Sequence, residues 1–147
     1  MKRVRHRTMP RVKFYPKSKT VPLQAHQAWN ILVSQAMMAD RRPSKAKIQY
    51  GQLRKQMGYP AAGHTLLHAL GTIGEFCKAN GLPCLNCIVV AKSTRLPGHA
   101  VVLREGRTRR QEIKAVVRQD WFEIRPPTVR MFRQVREALY AIEPDDV

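Results

Sequence analysis

Acidic residues are scarce in this sequence. It contains 10 Asp and Glu against 27 Lys and Arg, which gives a formal net charge of +17, and no acid occurs in residues 1–39. A mechanism based on paired carboxylates is therefore disfavoured. The acids that remain as candidates follow no recognisable pattern: Glu75, Glu105, Glu112 and Asp120. A chain this basic is expected to bind an acidic partner, and nucleic acid is the usual one.

Long apolar runs and paired cysteines are also missing. No stretch approaches the ~18 apolar residues of a membrane span, and the N-terminus lacks the apolar centre of a signal peptide. The three cysteines are an odd number, which does not suit a disulfide framework. We therefore expect a cytoplasmic or nucleoid protein in a reducing compartment, with no membrane partner.

Familiar catalytic and cofactor motifs are absent. The sequence has no glycine-rich phosphate loop, no nucleophile elbow and no zinc-protease pattern. No cofactor is predicted, and a non-enzymatic function is favoured over an enzymatic one.

The first half of the chain is predicted to be a basic arm followed by helices. Residues 1–19 form the arm, with a short strand at residues 11–15, and residues 20–147 form a single domain. An amphipathic helix is predicted over residues 22–39, because its apolar residues recur at helical spacing. Thr20 is placed to cap this helix, and a proline at position 22 suits its first turn.

Two further helices follow and predict a helix-turn-helix. A short helix over residues 50–57 ends at Gly58, and a second over residues 61–79 ends at Asn80 and Gly81. Two helices joined by such a tight turn are typical of DNA-reading modules. The apolar stripe of the second helix is predicted to face the core: Ala62, Leu66, Leu70, Ile73, and Phe76 or Cys77.

The second half of the chain predicts a small hairpin and C-terminal helices. The β-branched content of residues 87–91 predicts a strand, followed by a turn at residues 94–99 and a returning strand at residues 100–103. Such a hairpin is the wing of a winged helix, with Lys92 and Arg95 at its tip. Helices are then predicted over residues 111–122 and from a cap at Thr128. The expected fold class is α+β, with a winged-helix-like core, a basic N-terminal arm and C-terminal helices.

The order of motifs in residues 48–99 resembles that of a known family. The segment is similar to the C-terminal DNA-binding domain of alkylguanine–DNA alkyltransferases and their non-enzymatic alkyltransferase-like relatives. The matching motifs are Tyr50-Gly51-Gln52-Leu53, Gly58-Tyr59-Pro60-Ala61-Ala62, Ala69-Leu70, Leu82-Pro83-Cys84, Ile88-Val89-Val90 and Leu96-Pro97-Gly98.

This resemblance implies a DNA-binding fold without the family's chemistry. It implies that Tyr50 contacts a phosphate at the target and that Cys84 occupies the alkyl-acceptor position. The family's activating His and Arg are Leu85 and Asn86 here. Its arginine that replaces a base turned out of the duplex should lie near Gly63 or His64, and neither is arginine. A thiol without a neighbouring base or cation is a poor nucleophile.

The expected function is therefore non-enzymatic binding of double-stranded DNA. The second helix of the helix-turn-helix would read a groove, while the wing and the arm would grip phosphates. The candidate binding residues are Tyr50, Arg54, Lys55, His64, Thr65, His68, Arg41, Arg42, Lys45, Lys47, Lys92 and Arg95. For the charged ones, the competing interpretation is an ordinary solvated surface.

Several alternatives stay open at this point. Cys84 is either an alkyl acceptor or a small core residue. The enzymatic alternative is a protein that acts on DNA, either by alkyl transfer to Cys84 or by unrecognised nuclease chemistry. A zinc site would combine Cys77, Cys84 and Cys87 with His64 or His68, although no metal is favoured. Trp29 and Trp121 are either core residues or base-stacking groups. The alternative partners are RNA, a ribonucleoprotein or a nucleic-acid-processing complex that the protein inhibits, with a phage or mobile-element origin.

Overall fold

The computed structural model describes residues 8–17, 19–59 and 64–141. Helices dominate this part of the chain, and a two-stranded parallel sheet completes it, so the expected α+β class is confirmed. The elements are α1 (Val21–Met37), α2 (Pro43–Ala46), β1 (Ile48–Gln49), α3 (Tyr50–Gln56), α4 (His64–Ala79), β2 (Val89–Val90), α5 (Arg109–Arg118) and α6 (Val129–Leu139). Two 3-10 turns lie at Leu85–Ile88 and Trp121–Glu123.

The ends of these helices follow from local sequence signals. The Thr128 hydroxyl accepts a hydrogen bond from the N–H of Met131, which confirms the predicted cap of α6. Gly58 and Gly81 adopt φ values of +82° and +67° after α3 and α4. This conformation favours glycine because it has no Cβ. The predicted stops of both helices are therefore confirmed.

The sheet differs from the predicted hairpin. β2 pairs with β1 in parallel, with Ile48 opposite Val89 and Gln49 opposite Val90. Residues 100–103 form no strand, so the predicted wing hairpin is wrong. The carbonyl of Val102 instead accepts hydrogen bonds from the Asn86 amide at 3.3 Å and the Cys87 thiol at 3.7 Å. The backbone carbonyl of Val102 is thus bound by side chains, whereas in a hairpin it would accept from the backbone N–H of the paired strand.

An aromatic cluster holds the helices together. Trp29 on α1 lies edge-on to Trp121, with ring centroids 5.6 Å apart, and to Phe76 of α4 at 5.7 Å. Phe132 of α6 closes the cluster at 6.2 Å from Trp29. Both tryptophans are 1% exposed. They are therefore core residues, and the base-stacking alternative is wrong for them.

The end of the basic arm lies against the first helices. The Tyr15 hydroxyl hydrogen-bonds with Nδ1 of His26 on α1. Lys19 donates to the carbonyl of Met57 at 3.1 Å and lies 4.4 Å over the ring of Tyr59. Residues 11–15 form no strand, contrary to the prediction. The boundary of the arm at residue 19 stays a prediction, and residues 1–7 and 18 lie outside the described part.

None of the helices in the described ranges has both the length and the apolar character needed to cross a bilayer.

Candidate nucleic-acid interface

α4 turns its predicted apolar stripe to the core and a polar strip outward. Leu66, Leu70 and Ile73 are buried. Because residues three or four apart share one face of a helix, Thr65 and His68 lie on the other side, and both are exposed. His64 begins the helix as the structure describes it, and residues 60–63, which include the predicted helix start, lie outside the described part. The outward placement of Thr65 and His68 is confirmed.

Local hydrogen bonds define both ends of α3, the short helix that precedes α4 in the chain. The side chain of Gln49 and that of Gln52 form a reciprocal capping box at its start. At its end, the N–H of Tyr59 donates to the carbonyl of Arg54 at 3.0 Å. This places Tyr50 at the first position of the helix, half-buried beside Arg54. Burial raises the pKa of Tyr50, while the charge of Arg54 acts in the opposite direction.

Lys47 directly precedes β1, and the charges of two cations from other segments act on it. Burial lowers the pKa of Lys47, which precedes β1, and the charges of Arg95 and Arg110 lower it further. Lys47 and Arg95 were predicted from the sequence, whereas Arg110, in the first turn of α5, was not. We call Lys47, Arg95 and Arg110 the cation cluster. Like charges held together in this way favour the approach of an anion.

A tight turn presents two of the predicted cations. The N–H of Ala91 donates to the carbonyl of Leu96, and the N–H of Arg95 donates to the carbonyl of Ala91, both at 3.0 Å. Arg95 adopts a φ of +57°, an uncommon conformation for a residue with a side chain. This turn, rather than a hairpin, exposes Lys92 and Arg95 to solvent.

Lys47 also joins the cation cluster to α3. It lines an open cleft of about 560 Å³ together with Lys55, and the cleft holds three glutamine side chains, Gln35, Gln52 and Gln56. The amide of Gln35 donates to the carbonyl of Lys45 at 3.4 Å. Lysines and amides of this kind are common donors to phosphate oxygens.

The remaining predicted cations lie on the connection from α1 to α2. Arg41, Arg42 and Lys45 are all exposed. Arg41 adopts a φ of +58° in the turn that ends α1. Arg42 precedes the short α2, and Lys45 lies within it. Their exposure suits phosphate contact and a solvated surface equally.

An apolar cavity of about 390 Å³ lies between α4 and the chain that follows β2. Tyr50 and Leu67 lie on one side, and Val90 and Val101 on the other. Asn86 also lines it, and its Oδ1 has no hydrogen-bond partner although the residue is 3% exposed. Ligand pockets of this size are typically apolar with a few polar groups. No sequence pattern indicated this cavity.

Gly74 of α4 explains how residues 101–103 come so close to the helix. A Cβ at this position would lie 2.7 Å from Cβ of Val102 and 2.8 Å from Oδ1 of Asn86. No larger residue fits without moving these groups, which flank the cavity. The glycine thus sets the separation between α4 and the wall of the cavity opposite it.

Cys84 lies behind the cavity in an environment that disfavours a thiolate. It is 0% exposed, and its thiol donates to the carbonyl of Gly74 at 3.6 Å. Burial raises the pKa of Cys84 to about 12, and the negative charge of Glu112 contributes. Burial also raises the pKa of Cys77 to about 12 and raises that of Cys87.

The zinc alternative finds no ligand set in this region. Within residues 8–17, 19–59 and 64–141, no three His, Cys, Asp or Glu side chains are grouped so as to hold a metal ion. The three cysteines are free thiols in the core, where cysteine behaves as a small apolar residue.

Buried Glu112 forms an ion pair with the partly exposed Arg104 close to Cys84. The guanidinium Nη2 of Arg104 donates to the carboxylate at 2.7 Å, and its backbone N–H donates at 3.0 Å. Burial alone would raise the pKa of Glu112, but these bonds outweigh it and hold that pKa below its ordinary value. This is the only side-chain salt bridge among the residues that the structure describes. Glu112 is therefore a structural anion rather than a free base.

The cysteines are expected to resist modification in the native protein. With a pKa of about 12, roughly one Cys84 thiol in 10⁵ is ionised at pH 7. Iodoacetamide at neutral pH should leave Cys77, Cys84 and Cys87 unmodified in the folded chain and alkylate all three in denaturant, as read by intact mass. Transfer of a labelled methyl group from alkylated duplex DNA to Cys84 would contradict this expectation and restore the enzymatic alternative.

Comparison with protein-family models, with curated proteins and with solved structures finds no match for this chain. The alkyltransferase resemblance accordingly stays a prediction.

Proposed function

We propose that this protein binds double-stranded DNA without acting on it as an enzyme. The observation that carries the proposal is the cation cluster, whose Arg95 and Arg110 are exposed and whose Lys47 lines a cleft that contains Lys55 and no acidic residue. Lys47, Arg95 and Arg110 come from three segments of the chain, and the charges that shift the pKa of Lys47 are all positive. Such a group is stabilised by phosphates, which supply most of the affinity in sequence-independent DNA binding.

α4 is the proposed reading helix. Its outward strip carries Thr65 and His68, short polar groups that can approach a groove. Leu67 between them is 57% exposed, which is unusual for a leucine but suits contact with a sugar or a base edge. Lys92 and Arg95 on the tight turn, together with the basic arm, would hold the flanking phosphates in place of a wing.

The cavity supports the alkyltransferase-like form of this proposal. In the resembling family a base turns out of the duplex, and base-flipping proteins hold such a base in a fitted pocket. Tyr50 and Leu67 connect the cavity to the outward strip of α4. Asn86 supplies a polar side chain to the otherwise largely apolar lining. The raised pKa of Cys84 favours binding over alkyl transfer.

The proposal is tested by placing negative charges on the outward strip of α4. The double variant Thr65→Glu, His68→Glu should bind a duplex at least tenfold more weakly, about 1.4 kcal/mol, because two new anions would face phosphates. The measurement is fluorescence anisotropy with a labelled duplex, together with a thermal melt to show that the variant is folded.

The matched control places the same charge change elsewhere. Gln134→Glu, Ala138→Glu lies on exposed positions of α6 and should change the affinity less than twofold. If both variants lost the same affinity, the loss would follow from net charge alone, and α4 would not be the reading helix. Duplexes with and without one alkylated guanine, single-stranded DNA and RNA are compared in the same assay. Tighter binding of RNA than of either duplex would overturn the choice of DNA.

A further inference from the structure

A row of cations follows the outer face of α5 beyond the cation cluster. Arg110, Lys114 and Arg118 are four residues apart and all exposed. At ~1.5 Å of rise per residue, each cation lies about 6 Å from the next along the helix axis. Lys114 and Arg118 also line an open cleft of about 560 Å³, to which Arg107 adds a further positive charge.

Nothing on α5 neutralises this row. Its one acid, Glu112, is 0% exposed and bound to Arg104. Like charges four residues apart destabilise a helix by a few tenths of a kcal/mol per pair. Arg110 also lies in the first turn, where the helix dipole disfavours a cation. No hydrogen bond or ion pair of these three side chains within the described part of the chain offsets these costs. The row is therefore a candidate site for an external anion.

The row is continuous with the surface already assigned to DNA. Arg110 belongs to both, because its charge acts on Lys47. Lys47 in turn shares its cleft with Lys55 of α3. Positive side chains therefore run from α3, across the edge of the sheet and along α5. Neither cleft has an acidic residue in its lining.

We infer that Lys114 and Arg118 bind backbone phosphates and extend the contact with nucleic acid along α5. The inference rests on the proposed function, which it deepens by adding a second contact region. Contacts of this kind carry no sequence information. They lengthen the footprint and steepen the salt dependence, because each neutralised phosphate releases counterions.

The inference is tested by neutralising two cations of the row. Lys114→Gln, Arg118→Gln should lower the slope of log affinity against log salt concentration by about 1.8, which is ~0.9 for each lost phosphate contact on duplex DNA. Arg130→Gln, Arg133→Gln removes the same charge from exposed positions of α6 and should leave the slope unchanged. Thermal melts of both variants establish that they are folded.

The outcomes separate this inference from the proposed function. If the α5 variant keeps the slope of the wild type, or if both variants lose the same amount, the row does not bind phosphates. If the α5 variant loses slope while Thr65→Glu, His68→Glu binds normally, the row is supported and the reading role of α4 fails. If the wild type binds neither DNA nor RNA, both the function and the inference are overturned.

Discussion

Glu112→Ala is expected to destabilise the protein by about 3 kcal/mol, the lower end of the range for a broken buried pair, because it leaves the 22% exposed side chain of Arg104 without its partner next to the core. Glu112 is fully buried, and both its oxygens accept hydrogen bonds from Arg104. Arg104 follows the segment that forms one wall of the cavity. Loss of the pair should therefore loosen that wall as well as lower the free energy of unfolding. Urea unfolding followed by circular dichroism measures the effect.

Two further variants separate the ion pair from the shape of the side chain. Glu112→Gln keeps the shape but removes the charge and should retain part of the stability. The double variant Arg104→Met, Glu112→Leu replaces the pair with apolar groups and should be far less destabilised than Glu112→Ala. A loss below about 1 kcal/mol in Glu112→Ala would show that the pair contributes little.

The same pair gives the stability a dependence on pH. The folded protein holds the pKa of Glu112 below its ordinary value. Its contribution is therefore complete above the unfolded pKa of about 4.3 and is lost as the pH falls through the folded pKa. Between neutral pH and pH 3, the wild type should lose more stability than Glu112→Gln.

Trp29→Ala should cost about 3–5 kcal/mol, the usual range for a large aromatic residue removed from a core. The rings of Phe76, Trp121 and Phe132 all pack on Trp29. One substitution therefore weakens the contacts of α1 with three other elements. Phe122→Ala provides the control, because Phe122 is 71% exposed and its removal should change stability by less than about 0.5 kcal/mol.

A milder variant keeps this prediction testable if Trp29→Ala fails to fold. Trp29→Phe leaves a smaller cavity and should remain folded with a lower midpoint of unfolding. Its affinity for duplex DNA should equal that of the wild type, because Trp29 is 1% exposed and has no access to a base. Loss of affinity in folded Trp29→Phe would show that Trp29 contributes to binding.

The sequence predicts those elements whose signals are local. Thr128, Gly58 and Gly81 mark helix ends through bonds and backbone angles within a few residues, and all three predictions are confirmed. The predicted hairpin fails for the opposite reason. β-branched residues indicate that Val89 and Val90 form a strand, but not which segment pairs with them. Their partner, β1, comes earlier in the sequence, separated from them by α3 and α4.

Parts of the site depend on contacts that the spacing of residues in the sequence does not reveal. The capping box formed by Thr108 and Gln111 marks the start of α5 and therefore places Arg110 in its first turn. The meeting of Arg110 with Lys47 depends on how α5 packs and has no local signal. The burial of Glu112 and the cavity beside Asn86 likewise arise only when distant segments are assembled.

The parallel pairing of β1 with β2 has a consequence for the order of folding. Because the two strands are separated in sequence by two helices, their pairing requires closure of a long loop, whose entropy is lost before the contact contributes. α1 and α3 can form earlier from local interactions. Lys47 and Arg95 flank the two strands, so a nascent chain keeps these charges apart until its topology is nearly complete. The proposed attraction of a polyanion to this edge would therefore begin late in folding, with the native state rather than with its helices.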